Sequence, residues 1–540
     1  TVQLTTNGNG AATVVNDAGL TFAASTVGGN LAATATTGNM TDSGALAITG
    51  TTTLTTSAND ATIALDTTTN AFTGAVTITT NDNSGTDADV TIDGGTTALI
   101  LAASTIDGDL TVRSGNASGI IDNGLVTVGG NLAATTDAAH GVINLGTLAV
   151  DGTVQLTTNG SGNATVVNDA GLTFAASTVG GALNATATTG NMTDSGALTI
   201  AGTSSFTTSQ NNADITLNNT NALTGAVTLS TTGSTGNATI DNGTTALDVA
   251  TSSVGGNLTL TSGNDITDSG TVTVGGPWFS ATTDANNGNI NMNTFAGRKI
   301  HLNTHGTGNA TIVNDARLSF GNSHMTIGGN LSVTATTGNI DEVNHNGSVT
   351  VAGTSSFTTS QNNADIILDD TNHAFTGAVT LSTTGSGGHA IIDNGTTALN
   401  IAASSVGGNL TLTSGNASGI TDSGTVTVGG NLAATTDANN GAINLGTLAV
   451  DGTVALTTHG SGNATVVNDE DLNFAASTVG GVLNATATTG NMTDSGALTI
   501  AGTSSFTTSA NNATIALDTT TNAFTGAVTI TTNDDSGTDA

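Results

Sequence analysis

The sequence predicts an all-β fold, a single elongated parallel β-solenoid (β-helix) whose successive coils stack along one axis. Two observations predict it. The chain repeats itself in steps of about 20–34 residues, which is the scale of one solenoid coil. Within each step Val, Ile and Leu alternate with Thr, Asn and Ser, as in half-buried strands. We expect about 22 coils of three short strands each, with a roughly triangular cross-section.

A longer repeat organises the coils along the chain. The opening eight residues, TVQLTTNG, return unchanged at 153–160 and altered at 299–306 and 453–460. Because stacked repeats share one core, we expect 1–540 to be one continuous solenoid. Its long repeats are 1–152, 153–298, 299–452 and a partial 453–540.

Residues 256–276 give the clearest single coil. Alternate residues of a strand point to opposite faces, so one parity is predicted to face the core: Leu258, Leu260, Ile266, Val272 and Val274. The other parity is predicted to face solvent: Thr259, Thr261, Thr271 and Thr273. The Gly-, Asn- and Asp-rich segments 262–265 and 268–270 are typical of tight corners. Longer coils carry inserts such as 159–163, which we expect to bulge as corners or loops.

Charge and composition narrow the function classes. The chain has 39 acidic and 4 basic residues, a formal net charge of −35, and no cysteine. Such a surface repels phosphates and anionic lipids, so we expect no nucleic-acid partner. No apolar run is long enough to span a bilayer, so we expect no membrane insertion. Disulfides and thiolate metal sites are excluded.

Two phrases carry a resemblance to a known family. They are GGNLTLTSGN at 255–264 and 407–416, and TVTVGG at 271–276 and 425–430. They resemble the repeats of filamentous-haemagglutinin-type β-helices, which occur in large bacterial secreted and surface adhesins. The resemblance covers essentially the whole chain and implies a β-helix on a cell surface or in its matrix.

Acidic residues recur at the predicted corners. If successive coils align, their carboxylates lie near one another along an edge, where a cation such as Ca²⁺ would relieve the repulsion. The alternative is ordinary capping of the corner backbone by each Asp. We predict no cofactor and keep Ca²⁺ as the open alternative. The corner acids are Asp17, Asp42, Asp93, Asp122, Asp169, Asp194, Asp241, Asp268, Asp315, Asp393, Asp422, Asp469 and Asp494.

One stretch departs from the repeat. Pro277-Trp278-Phe279-Ser280 replaces the Asn-Leu-Ala of residues 431–433, and the only Lys, two of the three Arg and several His follow closely. An aromatic ring with a basic cluster suits a glycan or an acidic edge of another subunit, whereas neutral drift of a tolerant repeat is the alternative. The predicted interaction patch comprises Trp278, Phe279, Arg298, Lys299, His301 and Arg317. On a strand, His301 and His305 lie about 13 Å apart, which argues against a shared metal.

Two further activities are weighed against the repeat. A polysaccharide-acting enzyme needs clustered acids that stand out from their surroundings, and only Asp341, Glu342 and His345 do so. Ice binding needs a clean array of Thr, suggested by residues 34–37, but Ala, Asn, Ser and Gln interrupt it. We therefore expect neither a catalytic site nor a metal site.

The sequence favours a structural role. We predict an extracellular fibre or filament segment of a prokaryotic cell surface or matrix. The chain enters a strand at Thr1 and stops at a corner at Ala540, and uncapped coils of this kind invite end-to-end stacking. The alternative is a surface adhesin with a ligand site near Trp278.

Overall fold

Each of two compact units of the chain, residues 1–276 and 277–540, is a parallel β-solenoid. The computed structural model describes residues 1–81, 88–321, 323–342 and 348–533. Together the units contain about 24 turns. The predicted all-β parallel solenoid of three strands per coil is confirmed, and the predicted coil number was close. The described residues form strands and turns without any helix.

The first unit is represented well by its second long repeat, in which strands of two to eight residues alternate with tight corners. Its strands are Thr153–Asn159, Ala164–Asn168, Leu172–Phe174, Ser177–Val179, Leu183–Ala187, Met192–Asp194, Leu198–Ile200, Ser204–Asn211, Ile215–Leu217, Ala222–Leu223, Val227–Thr232, Ala238–Asp241, Leu247–Val249, Ser252–Val254, Leu258–Ser262, Ile266–Asp268 and Val272–Val274.

The second unit follows the same plan from Trp278 onward. Its strands up to residue 459 are Trp278–Thr283, Ile290–Ala296, Lys299–Asn303, Ala310–Asn314, Leu318–Phe320, Met325–Ile327, Leu331–Ala335, Ile340–Glu342, Val349–Val351, Ser355–Asn362, Ile366–Leu368, Ala374–Phe375, Val379–Thr384, Ala390–Asp393, Leu399–Ile401, Ser404–Val406, Leu410–Ser414, Ile420–Asp422, Val426–Val428, Leu432–Asn439, Ile443–Val450 and Thr453–His459.

The alternation of apolar and polar residues decides which side chains form the core. The five predicted inward residues of the coil 256–276 are all buried, and the four predicted outward Thr are half-buried or exposed. In the second unit, Phe rings of successive turns meet edge to face, as in Phe474–Phe506 at 6.4 Å between centroids. A single turn cannot cover these apolar side chains, so each turn depends on its neighbours for burial.

Parallel backbone pairing joins each turn to the next. For example, residues Leu183–Ala187 pair in register with Ser204–Thr208, and the same strand pairs on its other side with Ala164–Asn168. Neighbouring strands in such a ladder lie about 4.8 Å apart. A side chain therefore sits directly over its counterpart in the next turn.

Asn and Asp side chains extend this pairing at one corner. In each case an Asn or Asp side-chain oxygen, or the Nδ1 of His389, accepts a hydrogen bond from the backbone N–H of the corresponding residue one turn later. We call this series the Asx ladder. In the second unit the ladder runs from Asn339 to Asp365, His389, Asn409, Asn431 and Thr453, with bonds of 2.8–2.9 Å. The backbone amides at this corner, partly buried or exposed, thus keep a hydrogen-bond partner.

The longer corners are built around a buried Thr. In the insert 159–163, Gly160 adopts a left-handed φ of 64°, and the predicted corner is confirmed as a tight turn. The Thr158 hydroxyl donates to the Gly162 carbonyl at 2.7 Å and accepts from Gly180 N–H at 2.9 Å. One hydroxyl therefore ties its own corner to the next turn.

The part of the chain that the structure describes contains no helix of a length and apolarity that could cross a membrane.

Candidate functional site

The irregular stretch forms a continuous row on the outer face of the second unit. Parallel pairing places Trp278 beside Lys299, Lys299 beside Ser319, and Ser319 beside Asp341. We call these four residues the outer row. They belong to four adjacent strands, in which the alternate residues Phe279, Ile300, Phe320 and Ile340 are buried in the core. The register of the solenoid thus brings together side chains that are up to 63 residues apart in the sequence.

Trp278 and Lys299 contact each other directly. The Lys299 ammonium lies 5.0 Å from the centre of the indole ring, within the range of a cation–π interaction. Trp278 is half-buried because its ring lies over Gly321, where a Cβ would overlap the indole. The position of the ring therefore depends on a glycine two turns away.

Arg317 and Ser319 hold the carboxylate at the far end of the row. The Arg317 Nε donates to Asp341 Oδ2 at 2.6 Å, and the Ser319 hydroxyl donates to Asp341 Oδ1. The Asp341 side chain is only 9% exposed, whereas that of Arg317 is 65% exposed. The carboxylate is thus covered by the guanidinium, which itself remains open to solvent.

The same positions are neutral in the other long repeats. The register places Asn131, Thr153, Thr173 and Thr193 at the equivalent places in the first unit. Further along the second unit the equivalents are Asn431, Thr453, Asn473 and Thr493. The outer row is therefore a local replacement of a neutral polar row by an aromatic, a cation and an anion.

The remaining predicted patch residues take different places. His301 lies on the same face, and its Nε2 donates to the His324 carbonyl at 3.0 Å. Arg298 is exposed at the corner that precedes the strand Lys299–Asn303. Phe279 does not reach this surface, since it points inward, is fully buried and packs on Phe295 at 4.7 Å. Phe279 follows Trp278 in the strand Trp278–Thr283, and successive residues of a strand point to opposite faces, so Phe279 faces the core.

Glu342, one of the acids weighed for catalysis, lies inside the solenoid. Its carboxylate contacts His373 Nε2, and both side chains are almost fully buried. Val349 N–H donates to His373 Nδ1 at 3.0 Å, so that nitrogen carries a lone pair and the ring proton sits on Nε2. The imidazole is therefore neutral and donates to the carboxylate. His345, the third residue of that group, lies outside the described residues.

The Glu342–His373 pair replaces an Asp–Asn pair found in the other long repeats. Asn221 Nδ2 donates to Asp194 Oδ2 at 2.9 Å, and Asn221 Oδ1 accepts from Leu198 N–H at 2.7 Å. Asn70 with Asp42 and Asn522 with Asp494 form the same arrangement. His373 thus reproduces both hydrogen bonds of an Asn. Sequence reasoning missed it, although aligning His373 with Asn221 would have revealed it.

Several of the predicted corner acids cap backbone N–H groups. Asp93, Asp241 and Asp393 each accept from the N–H two residues later, at 2.7–2.8 Å. Asp122 and Asp422 accept from two backbone N–H groups one turn later. Among the described residues, no group of three or more His, Asp or Glu could hold a metal ion.

Two corner acids are electrostatically unusual. Burial raises the pKa of both Asp93 and Asp393, and the hydrogen bond from the following Gly N–H opposes that change. The neighbouring carboxylate also raises each pKa, Asp137 that of Asp93 and Asp437 that of Asp393, and Arg113 lowers that of Asp93. The first corner therefore contains an Arg that the second does not.

Six stretches of the chain match one family model, described as "Repeats of unknown function (DUF5649)". The stretches are residues 9–79, 161–230, 235–297, 307–382, 387–457 and 461–531. They cover more than half of the 540 residues. The chain belongs to this repeat family. The family match and the solenoid fold together make it a β-helix repeat protein, and Arg298, Lys299 and His301 lie between two matched stretches.

The search of curated proteins and the search of solved structures each found no match.

Replacing His373 tests its role as a substitute for Asn. We expect His373→Ala to lose about 1–3 kcal/mol of stability, because Val349 N–H and the Glu342 carboxylate lose a buried partner. His373→Asn restores the donor and the acceptor and should lose much less. Hydrogen exchange at the Val349 amide measures the effect, with Asn221→Ala as the matched change in the first unit. Equal protection in His373→Ala and the wild type would contradict this account.

Replacing Asp393 tests the effect of burial on its charge. Because its pKa is raised in the fold, ionisation at neutral pH costs stability, and protonation at low pH removes that cost. Asp393→Asn should therefore melt at a higher temperature than the wild type at pH 7, with the difference shrinking as the pH falls through the raised pKa of Asp393 towards its ordinary value of 3.8. Asp393→Ala, which also loses the cap of Gly395, should be less stable than Asp393→Asn. A lower melting temperature of Asp393→Asn at pH 7 would rule the idea out.

Proposed function

We propose that this chain is a structural segment of an extracellular fibre or filament on a prokaryotic cell surface or in its matrix, without enzymatic activity. The observation that supports it best is the turn-to-turn hydrogen bonding within each unit. Backbone ladders, the Asx ladder and the Thr corners all run along the solenoid axis. A load along that axis is therefore shared by many parallel bonds.

The surface composition suits an extracellular setting. A net charge of −35 keeps a long repetitive chain soluble and discourages non-specific pairing of its strand edges. The absence of cysteine means that its stability does not depend on the redox state of the compartment. Within the β-helix repeat proteins, we place the chain nearest the filamentous-haemagglutinin type, on the phrases at 255–264 and 271–276.

Self-association is part of this proposal. Each turn is a β-structure whose N–H and C=O groups are satisfied by the next turn. Assembly of copies into a filament through repeated, non-closing contacts suits such a chain.

Localisation tests the proposal directly. Antibodies raised against the purified chain should label the outside of intact source cells or their matrix in immunogold electron microscopy, and surface protease treatment should remove the label. Permeabilised cells serve as the control for antibody access. Label found only inside permeabilised cells would contradict the extracellular role.

A surface adhesin is the second candidate, favoured by the outer row. Trp278 and Lys299 present an aromatic surface and a cation where the other long repeats present Asn and Thr. Aromatic rings that stack on sugar faces, flanked by cations that bind carboxylates, suit an acidic glycan.

Glycan-array binding tests the adhesin. If the outer row binds a glycan, Trp278→Ala should reduce binding about tenfold or more, because the stacking surface and the cation–π partner are lost together. Asn431→Ala, the change at the equivalent position, is the matched control and should bind like the wild type. Binding that survives Trp278→Ala, or no binding to any glycan, counts against the adhesin. Turnover of a polysaccharide would instead favour an enzyme.

A further inference from the structure

One corner of the first unit shows how this solenoid binds a guanidinium. Arg113 pairs in register with Asp93 and reaches Asp137 in the next turn. Its Nε donates to Asp137 Oδ2 at 2.5 Å and its Nη2 to Asp137 Oδ1 at 3.0 Å. We call Asp93 and Asp137 the first acidic corner. The two-point contact is the geometry in which Arg and carboxylate bind each other best.

The second unit contains the same corner without the cation. Asp393 pairs in register with Thr413, which stands where Arg113 stands in the first unit, and Thr413 pairs with Thr435. Asp437 occupies the place of Asp137 and is exposed. We call Asp393 and Asp437 the second acidic corner. In the described part of the chain, no side chain hydrogen-bonds the Asp437 carboxylate or forms an ion pair with it.

Asp93 and Asp393 take the same place in their corners and differ in exposure. Asp93 is 7% exposed, whereas Asp393 is half-buried. Both carboxylates cap the following Gly in the same way, at 2.7 and 2.8 Å. The second acidic corner thus retains the backbone of the first and lacks only its cationic occupant.

The chain also contains one guanidinium that lacks a carboxylate. Of the four Lys and Arg, Arg113 pairs with Asp137, Lys299 lies over Trp278, and Arg317 pairs with Asp341. The fourth, Arg298, is exposed. Across residues 1–81, 88–321, 323–342 and 348–533, no carboxylate lies within ion-pair distance of it.

We propose that Arg298 of one copy docks into the second acidic corner of another copy, in the manner in which Arg113 occupies the first acidic corner. The partner is a second copy because both complementary halves, a lone guanidinium and an empty guanidinium site, occur on the same chain. The two halves are different surfaces, so the contact is heterologous and each copy can bind two others. The inference rests on the proposed filament role and specifies one contact within it.

Electrostatics sets the conditions under which the contact forms. Two chains of charge −35 repel each other at low ionic strength, but at 0.15 M salt that repulsion is screened beyond about 8 Å. The short-range Arg–carboxylate pair then decides the contact. At 1 M salt the screening length falls to about 3 Å, and the pair itself weakens. Association should therefore be strongest near physiological salt.

The experiment uses the first acidic corner as a template. Thr413→Arg places an Arg in the second acidic corner at the position that Arg113 has in the first. This internal Arg should block docking while the fold is kept. Sedimentation velocity of the full chain over a range of concentrations, at 0.15 M and 1 M salt, measures self-association. We expect Thr413→Arg, Arg298→Ala and Asp437→Asn each to weaken association about tenfold at 0.15 M salt. Thr413→Gln, which adds length without charge, should associate like the wild type.

Removing Arg113 from the first acidic corner should have the opposite effect on self-association. Arg113→Thr empties the first acidic corner and creates a second docking site, so association should become stronger. Circular dichroism checks that each variant is folded, and Asp437→Asn keeps the test valid if Thr413→Arg does not fold. Association of Thr413→Arg equal to that of Thr413→Gln would overturn the proposal, as would a wild type that stays monomeric at every concentration. These outcomes concern the purified chain and are independent of where immunogold labelling finds it.

Discussion

The axial hydrogen bond between one turn and the next is the constraint on which the rest of the structure depends. A turn of this solenoid has no closed core of its own, so its apolar side chains are covered only if its neighbours lie in register. The backbone ladder sets that register, and the Asx ladder from Asn339 to Thr453 reinforces it at the corner. Every outward side chain is then placed directly over its counterpart in the next turn. Outward side chains of successive turns consequently form rows along the solenoid.

Histidine enters this scheme as a substitute for asparagine. His389 Nδ1 accepts from Asn409 N–H at 2.9 Å, within the Asx ladder. His140 Nδ1 accepts from Ser161 N–H at 3.1 Å, where Asn440 Oδ1 accepts from Ser461 N–H in the second unit. His373 does the same inside the core. An imidazole nitrogen and an amide oxygen are both acceptors, so the exchange preserves the axial bond. These His residues therefore need no metal or catalytic role to explain them.

The sequence predicted the parts of the structure that follow from periodicity. The inward parity of Leu258 and Val272 and the corner at 159–163 needed only the two-residue period and the positions of Gly and Asn. The prediction that Phe279 belongs to the patch was wrong because it relied on the aromatic side chain and not on the alternation of inward and outward residues along the strand. Its position aligns with the inward Leu432, so the repeat itself contained the correction. The Glu342–His373 pair was missed because it joins residues 31 apart, and only the register shows that they meet.

Contacts between outward side chains of different turns could not be predicted from the sequence for the same reason. That Lys299 lies over Trp278 follows from the pairing of two strands. That Arg113 reaches Asp137 follows from a second pairing, and the empty counterpart at Asp437 becomes visible only when the two units are compared. The repeats serve as internal references for one another. A residue stands out in this chain by how it differs from its structural equivalents, and composition alone does not reveal that difference.

Trp278 differs from every histidine substitution in one physical respect. Its equivalent Asn131 accepts a hydrogen bond from Thr153 N–H at 2.8 Å, but an indole ring has a donor and no acceptor, so that axial bond cannot form at Trp278. Its exposed cation–π contact with Lys299 contributes about 0.5–1 kcal/mol, comparable to the net value of the hydrogen bond it replaces. The cation–π contact and the lost hydrogen bond are thus similar in size, and the indole also packs over Gly321. It also changes the surface, where a neutral polar row gains an aromatic ring and a charge.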